Sequence, residues 1–130
     1  MYNHKDGFTL VEIMIVVLII ALLAAIGIPN LLRARVEAHD ATAQAALKSI
    51  STAFEIYAST ENRYPPDTTS LLGVVPPYLA VVYFTGIHSG FTFTTTLLTS
   101  DTYSVTAEPT STNLGSASFT VTTGGVLTEN

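Results

Sequence analysis

The sequence predicts an α+β fold in which one long N-terminal helix, membrane-spanning in its first half, packs by its second half against a small antiparallel sheet. Three observations carry this. Residues 8–28 are an unbroken apolar run, residues 31–60 are rich in helix formers with no Gly or Pro, and three segments from Gly90 onward alternate aromatic or aliphatic residues with Thr and Ser.

The apolar run, FTLVEIMIVVLIIALLAAIGI, holds twenty-one residues and one charge, Glu12. About 20 apolar residues span the hydrocarbon of a bilayer. A buried core helix is disfavoured, because about a hundred other residues cannot cover such a helix on every side. A secretory signal peptide stays open, since Lys5 precedes the run and Ala21-Leu22-Leu23-Ala24 resembles a small-residue cleavage site. The run exceeds the roughly 7–15 apolar residues of such a peptide. A plain signal anchor fits the length. Glu12 separates these readings: a carboxylate inside a bilayer segment costs about 2.5–3.5 kcal/mol and points to a partner or a function, unless it lies close enough to the end to reach the headgroups. Lys5 before the span and Arg33 and Arg35 after it leave orientation undecided by flanking charge.

Lys5-Asp6-Gly7-Phe8-Thr9-Leu10-Val11-Glu12, followed by the apolar run, resembles the processing site of type IV prepilins and of type II secretion pseudopilins. The resemblance implies a pilin-like fold and a leader, residues 1–7, removed by a membrane prepilin peptidase. That enzyme would cut between Gly7 and Phe8 and methylate the new amino terminus. The transmembrane and polymerisation helix then covers 8–30, an amphipathic helix continues it over 31–62, and a head of loop and antiparallel sheet covers 63–130. Gly27 and Pro29 match a helix-breaking pair usual in these subunits. The implied partners are copies of the chain in a helical homopolymer, the peptidase, the inner-membrane machinery of a pilus or pseudopilus, and the membrane before assembly. The subunit would wait in the inner membrane and end in a surface filament or a periplasmic pseudopilus. No cofactor and no metal are expected.

Electrostatics supplies a reason for Glu12. After cleavage the Phe8 amine is positive, and Glu12 lies one helical turn further on. A neighbouring copy displaced along the filament axis places its carboxylate against that amine, and pairing offsets much of the penalty on each buried charge. The pair then acts as a register device for assembly.

Beyond the span, Pro29 has no N–H, so the carbonyl of Ala25 loses its helical partner and the ring pushes it away. With Gly27 beside it, this is the expected kink, and local melting there during assembly follows from the family resemblance. From Ala43 the helix is amphipathic: Leu47, Ile50, Phe54, Tyr57 and Ala58 form one stripe, while Ser49, Thr52 and Ile56 face away. Asp40 falls on the backward extension of the stripe, so contact with the sheet is expected only after it, and His39-Asp40 reads as a solvated pair.

Arg63-Tyr64-Pro65-Pro66-Asp67 ends the helix, since the residue before a proline avoids helical conformation. A loop through Ser70, an apolar segment at 71–75 and a break at Pro76-Pro77 follow. Strands are expected at 90–98, 102–107 and 117–123, with Gly124-Gly125 as a two-residue turn into 126–128. Their apolar face (Phe91, Phe93, Tyr103, Val105, Phe119, Val121) would cover the Leu47 stripe. A small sheet alone is marginal, and the helix supplies the missing burial.

Composition excludes several functions. The chain of 130 residues has 48% hydrophobic residues, a formal charge of −5 and no Cys. Its five basic residues, Lys5, Arg33, Arg35, Lys48 and Arg63, never cluster as a nucleic-acid surface requires. Without Cys there is no disulfide framework, thiolate site or Cys nucleophile. His4, His39 and His88 lack metal-ligand spacing, and no phosphate loop or Gly-x-Ser-x-Gly occurs, so an enzyme is not expected. The leading reading is a pilus subunit serving adhesion, motility or DNA uptake, with the major pseudopilin of a type II secretion system second. Only Asp101, Glu108 and Glu129 follow Asp67, too dispersed for a calcium loop such as pseudopilins often carry. A membrane-anchored or secreted binding domain that never polymerises is the reading from another class.

Overall fold

A computed structural model describes residues 7–130; the expectations for His4, Lys5, Asp6 and the rest of residues 1–6 of the leader lie outside the described residues. The chain forms two compact units, Met1–Ala34 and Arg35–Asn130. In chain order the elements are helix α1 (Leu10–Glu61), a short 3-10 turn (Thr68–Leu71), and strands β1 (Phe91–Leu98), β2 (Tyr103–Pro109), β3 (Phe119–Thr122) and β4 (Val126–Glu129). The strands make one antiparallel meander in the order β1-β2-β3-β4.

Within Met1–Ala34, the helix is apolar on all sides and buries nothing. Its 18-residue window of highest mean hydropathy, 3.0, is 0% buried. Its length and composition are those of a helix that can cross a bilayer.

Within Arg35–Asn130, three-and-four spacing decides the core. Ala43, Ala46, Leu47, Ile50, Ala53 and Phe54 are buried on one face of α1, whereas Ser49, Thr52 and Ile56 are exposed. The strands answer with period two. Tyr103, Val105 and Ala107 of β2 and Phe119 and Val121 of β3 point inward, and Phe91 and Phe93 join them from β1. Register aligns the pattern, with Val105 opposite Val121 and Ala107 opposite Phe119. Phe54 stacks on Tyr103 with ring centroids 4.6 Å apart. Each fully buried large apolar side chain contributes about 1.5–3 kcal/mol, and this shared core holds the sheet on α1.

Two carboxylates complete the attachment, and one corrects an expectation. Asp40 is buried, not solvated, and its partner is a loop rather than a strand. Its carboxylate accepts the Ser116 N–H at 3.1 and 3.3 Å and the Ser116 hydroxyl at 2.6 Å, fastening the loop between β2 and β3. Its place on the apolar stripe is what brings it there, and the N–H and hydroxyl of Ser116 satisfy its carboxylate. Glu55 does the same for the β3–β4 turn. It accepts the Gly124 N–H at 2.9 Å, the Tyr103 hydroxyl at 3.2 Å and the Tyr64 hydroxyl at 3.1 Å. Ser51 Oγ lies 2.8 Å from the Tyr103 hydroxyl and extends the network.

Local stops differ from expectation in detail. α1 ends at Glu61, with Asn62 at φ 55°, a left-handed residue in the usual helix-terminating position. Asp67 caps the 3-10 turn by accepting the Ser70 N–H at 2.8 Å. The β3–β4 connection is three residues, not two: Thr122 pairs with Val126, leaving Thr123, Gly124 and Gly125 in the turn, and both glycines have positive φ. β2 extends two residues beyond the expected end at Ala107, through Pro109, because β1 stays paired there.

Candidate processing and assembly site

The chemistry singled out in the sequence lies at the start of α1. Gly7, Phe8 and Thr9 are non-helical, and Phe8 is 86% exposed. A Cβ built on Gly7 meets nothing within 4 Å. The Gly7–Phe8 bond is thus accessible and unconstrained by secondary structure, the condition a peptidase needs.

Thr9 starts the helix through a capping box, which the sequence reading missed. Its hydroxyl oxygen accepts the Glu12 N–H at 3.3 Å, while the Glu12 carboxylate accepts the Thr9 N–H at 2.8 Å. The Thr9 hydroxyl also donates to the same carboxylate oxygen at 2.6 Å. A threonine followed three residues later by glutamate, just ahead of an apolar run, is the signature of this motif, and Thr9-Leu10-Val11-Glu12 carries it in plain view. The box satisfies otherwise unpaired helix N–H groups, and the carboxylate sits favourably at the positive end of the helix dipole. Both donors to Glu12 are neutral. Its full negative charge therefore persists inside a surface that is otherwise apolar.

Phe8 and Thr9 immediately precede α1 and Glu12 lies in its first turn, whereas Gly27 and Pro29 lie in the interior of α1. A Cβ added at Gly27 meets nothing within 4 Å, so no neighbour within the chain demands a glycine there. Among the described residues, no three His, Asp or Glu side chains converge to hold a metal ion.

Comparison with known proteins gives the same N-terminal segment. Residues 2–28 match the family model described as a prokaryotic N-terminal methylation motif. The type IV wide pilus major component PilA4 of Thermus thermophilus is 43% identical over 72 residues, 55% of this chain and 55% of that protein. Type II secretion system core protein G of Pectobacterium carotovorum is 36% identical over 72 residues, 55% of this chain and 46% of that protein. Competence protein ComGC of Halalkalibacterium halodurans is 33% identical over 70 residues, 54% of this chain and 69% of that protein. The chain thus spans about half the length of the first two. With a methylation-type N terminus, an unburied apolar helix and an antiparallel sheet on the same chain, it belongs to the type IV pilin and type II secretion pseudopilin family.

Proposed function

We propose that the chain is a structural subunit of a type IV pilus filament, cut before Phe8 and assembled through its N-terminal helix in the service of adhesion, motility or DNA uptake. The observation that carries this reading is an apolar helix with 0% of its most apolar window buried and one carboxylate in its first turn. Such a surface needs a bilayer first and neighbouring helices later. Glu12 then exchanges neutral capping for the cationic Phe8 amine of another copy, which fixes the axial offset between them. The subunit waits in the inner membrane, where the prepilin peptidase and the assembly machinery act on it.

Two measurements test the reading. Mass spectrometry of the exported chain should find methylated Phe8 at its amino terminus. A start after Ala24 or Ala25 would instead mark an ordinary secreted protein, and an uncut chain would mark an anchor. Glu12→Ala and Glu12→Gln should insert into membranes at wild-type levels and yield few or no filaments by electron microscopy. Normal filaments from both variants would remove the register role.

A pseudopilus subunit is the second reading, favoured by the likeness to core protein G. Stabilisation of the chain by calcium would move it to first place.

A further inference from the structure

A filament that grows without closing needs a heterologous contact, in which two different patches of one chain fit each other. Given the subunit reading above, the Arg35–Asn130 unit offers two such patches. One is an exposed apolar segment: Val75 is 95% exposed and Val74 45%, just ahead of Pro76 and Pro77. The prolines fix φ, so the segment loses little chain freedom on docking. The other is a groove of about 430 Å³ between α1 and the β3–β4 hairpin, lined by Ala41, Ala45, Val121 and Leu127. Ala41 and Ala45 are exposed and short, which leaves room for a branched side chain between helix and hairpin.

Charge adds a direction. Glu61 lines the same hollow as Val74, so the exposed valine segment has an acidic flank. Lys48 lines the groove, which therefore has a basic flank. The second copy needed for a filament presents an apolar groove together with the complementary charge. We infer that Val74 and Val75 of one copy seat in the α1–β4 groove of the next, with Glu61 of the first facing Lys48 of the second. The apolar contact holds the heads together, and the rim pair selects the register. Because each copy supplies one exposed valine segment and one groove, the contact propagates along the filament.

The absence of Cys makes the test clean. The full-length chain carrying Val75→Cys with Ala45→Cys is expressed in cells that assemble it, filaments are collected under mild oxidation, and their subunits are separated without reductant. The double variant should give a ladder of dimers, trimers and longer oligomers, while each single variant stays monomeric. Val75→Cys with Leu127→Cys covers the case in which a thiol at position 45 blocks assembly. Filaments from both pairs that yield only monomers would overturn the contact, as would a single variant that dimerises as strongly as the pairs. Independently, Lys48→Glu should lower filament yield and Glu61→Lys in the same chain should restore it; wild-type yield from Lys48→Glu also overturns the contact. If the wild-type chain enters no filament at all, the subunit reading itself fails, whereas filaments without cross-links defeat only this contact.

Discussion

At the residue scale, the most consequential side chain in the head is Glu55. It gathers a backbone N–H from the β3–β4 turn and two tyrosine hydroxyls from separate segments, tying the C-terminal hairpin to α1 in a chain without disulfides. Glu55→Ala leaves the Gly124 N–H and the Tyr64 hydroxyl without their partner, while Tyr103 keeps Ser51. It should cost about 1–3 kcal/mol in denaturant unfolding of the full-length chain in detergent. The tyrosines report on the same node. Burial first, and then the hydrogen bond and charge of Glu55, push the Tyr64 hydroxyl up to about 12. Burial likewise raises Tyr103, with the charge and hydrogen bond of Glu55 adding to it and the Ser51 hydrogen bond opposing it. A pKa higher in the folded than in the unfolded chain means stability that is whole below pH 10.0, the ordinary tyrosine value, and is lost as pH rises through about 12. Tyrosinate absorbance should therefore show Tyr64 ionising late. Glu55→Gln should bring its pKa only part of the way back, since burial is the larger cause.

At the element scale, one carboxylate fastens the loop between β2 and β3 to α1. Asp40→Ala removes all three hydrogen bonds to Ser116 and should speed amide exchange at Ser116 while the β1–β2 ladder stays protected. In the same loop, a Cβ on Gly115 would sit 2.7 Å from Pro109 Cβ and collide with the Phe91 ring. Gly115→Ala should accordingly destabilise the head by about 1–3 kcal/mol, read as a lower melting temperature. Gly27 presents the opposite case. With open space around its missing side chain, Gly27→Ala should strengthen α1 by about 0.8–1 kcal/mol through helix propensity alone. If assembly requires local melting beside Pro29, this more stable subunit should form fewer filaments, seen as a lower pilus yield at equal membrane abundance. Wild-type yield would speak against melting.

At the scale of the whole molecule, one helix serves two solvents. The helical residues of the first unit, 10–34, expose apolar surface all round, whereas the helical residues of the other unit show one apolar face and one polar face. The first pattern requires partners outside the chain, and the second makes a head that folds on its own helix. On the proposed reading the first unit drives assembly, and the Glu12 variants test it directly: a subunit that inserts but does not polymerise is the expected outcome.

Much of this was legible before any coordinates. Periodicity placed α1 and its Leu47 stripe, alternation placed the strands and their inward face, and Glu12 stood out because a lone charge in an apolar run demands an explanation, while Gly7 and Phe8 were marked by the resemblance of their surroundings to a prepilin processing site. These are local properties, set by spacings of two, three or four residues. Thr9 was equally local and was overlooked. Asp40 and Glu55 were of another kind, since their backbone partners lie 76 and 69 residues away. An acid on an apolar stripe reads as the stripe's end until folding delivers the N–H groups that satisfy it. Sequence by itself determined which segments are helix, strand and membrane-seeking, because those follow from local sterics and hydrophobicity. Only the tertiary structure decided which carboxylates fasten the sheet, because a hydrogen bond between distant segments depends on where the whole chain brings them.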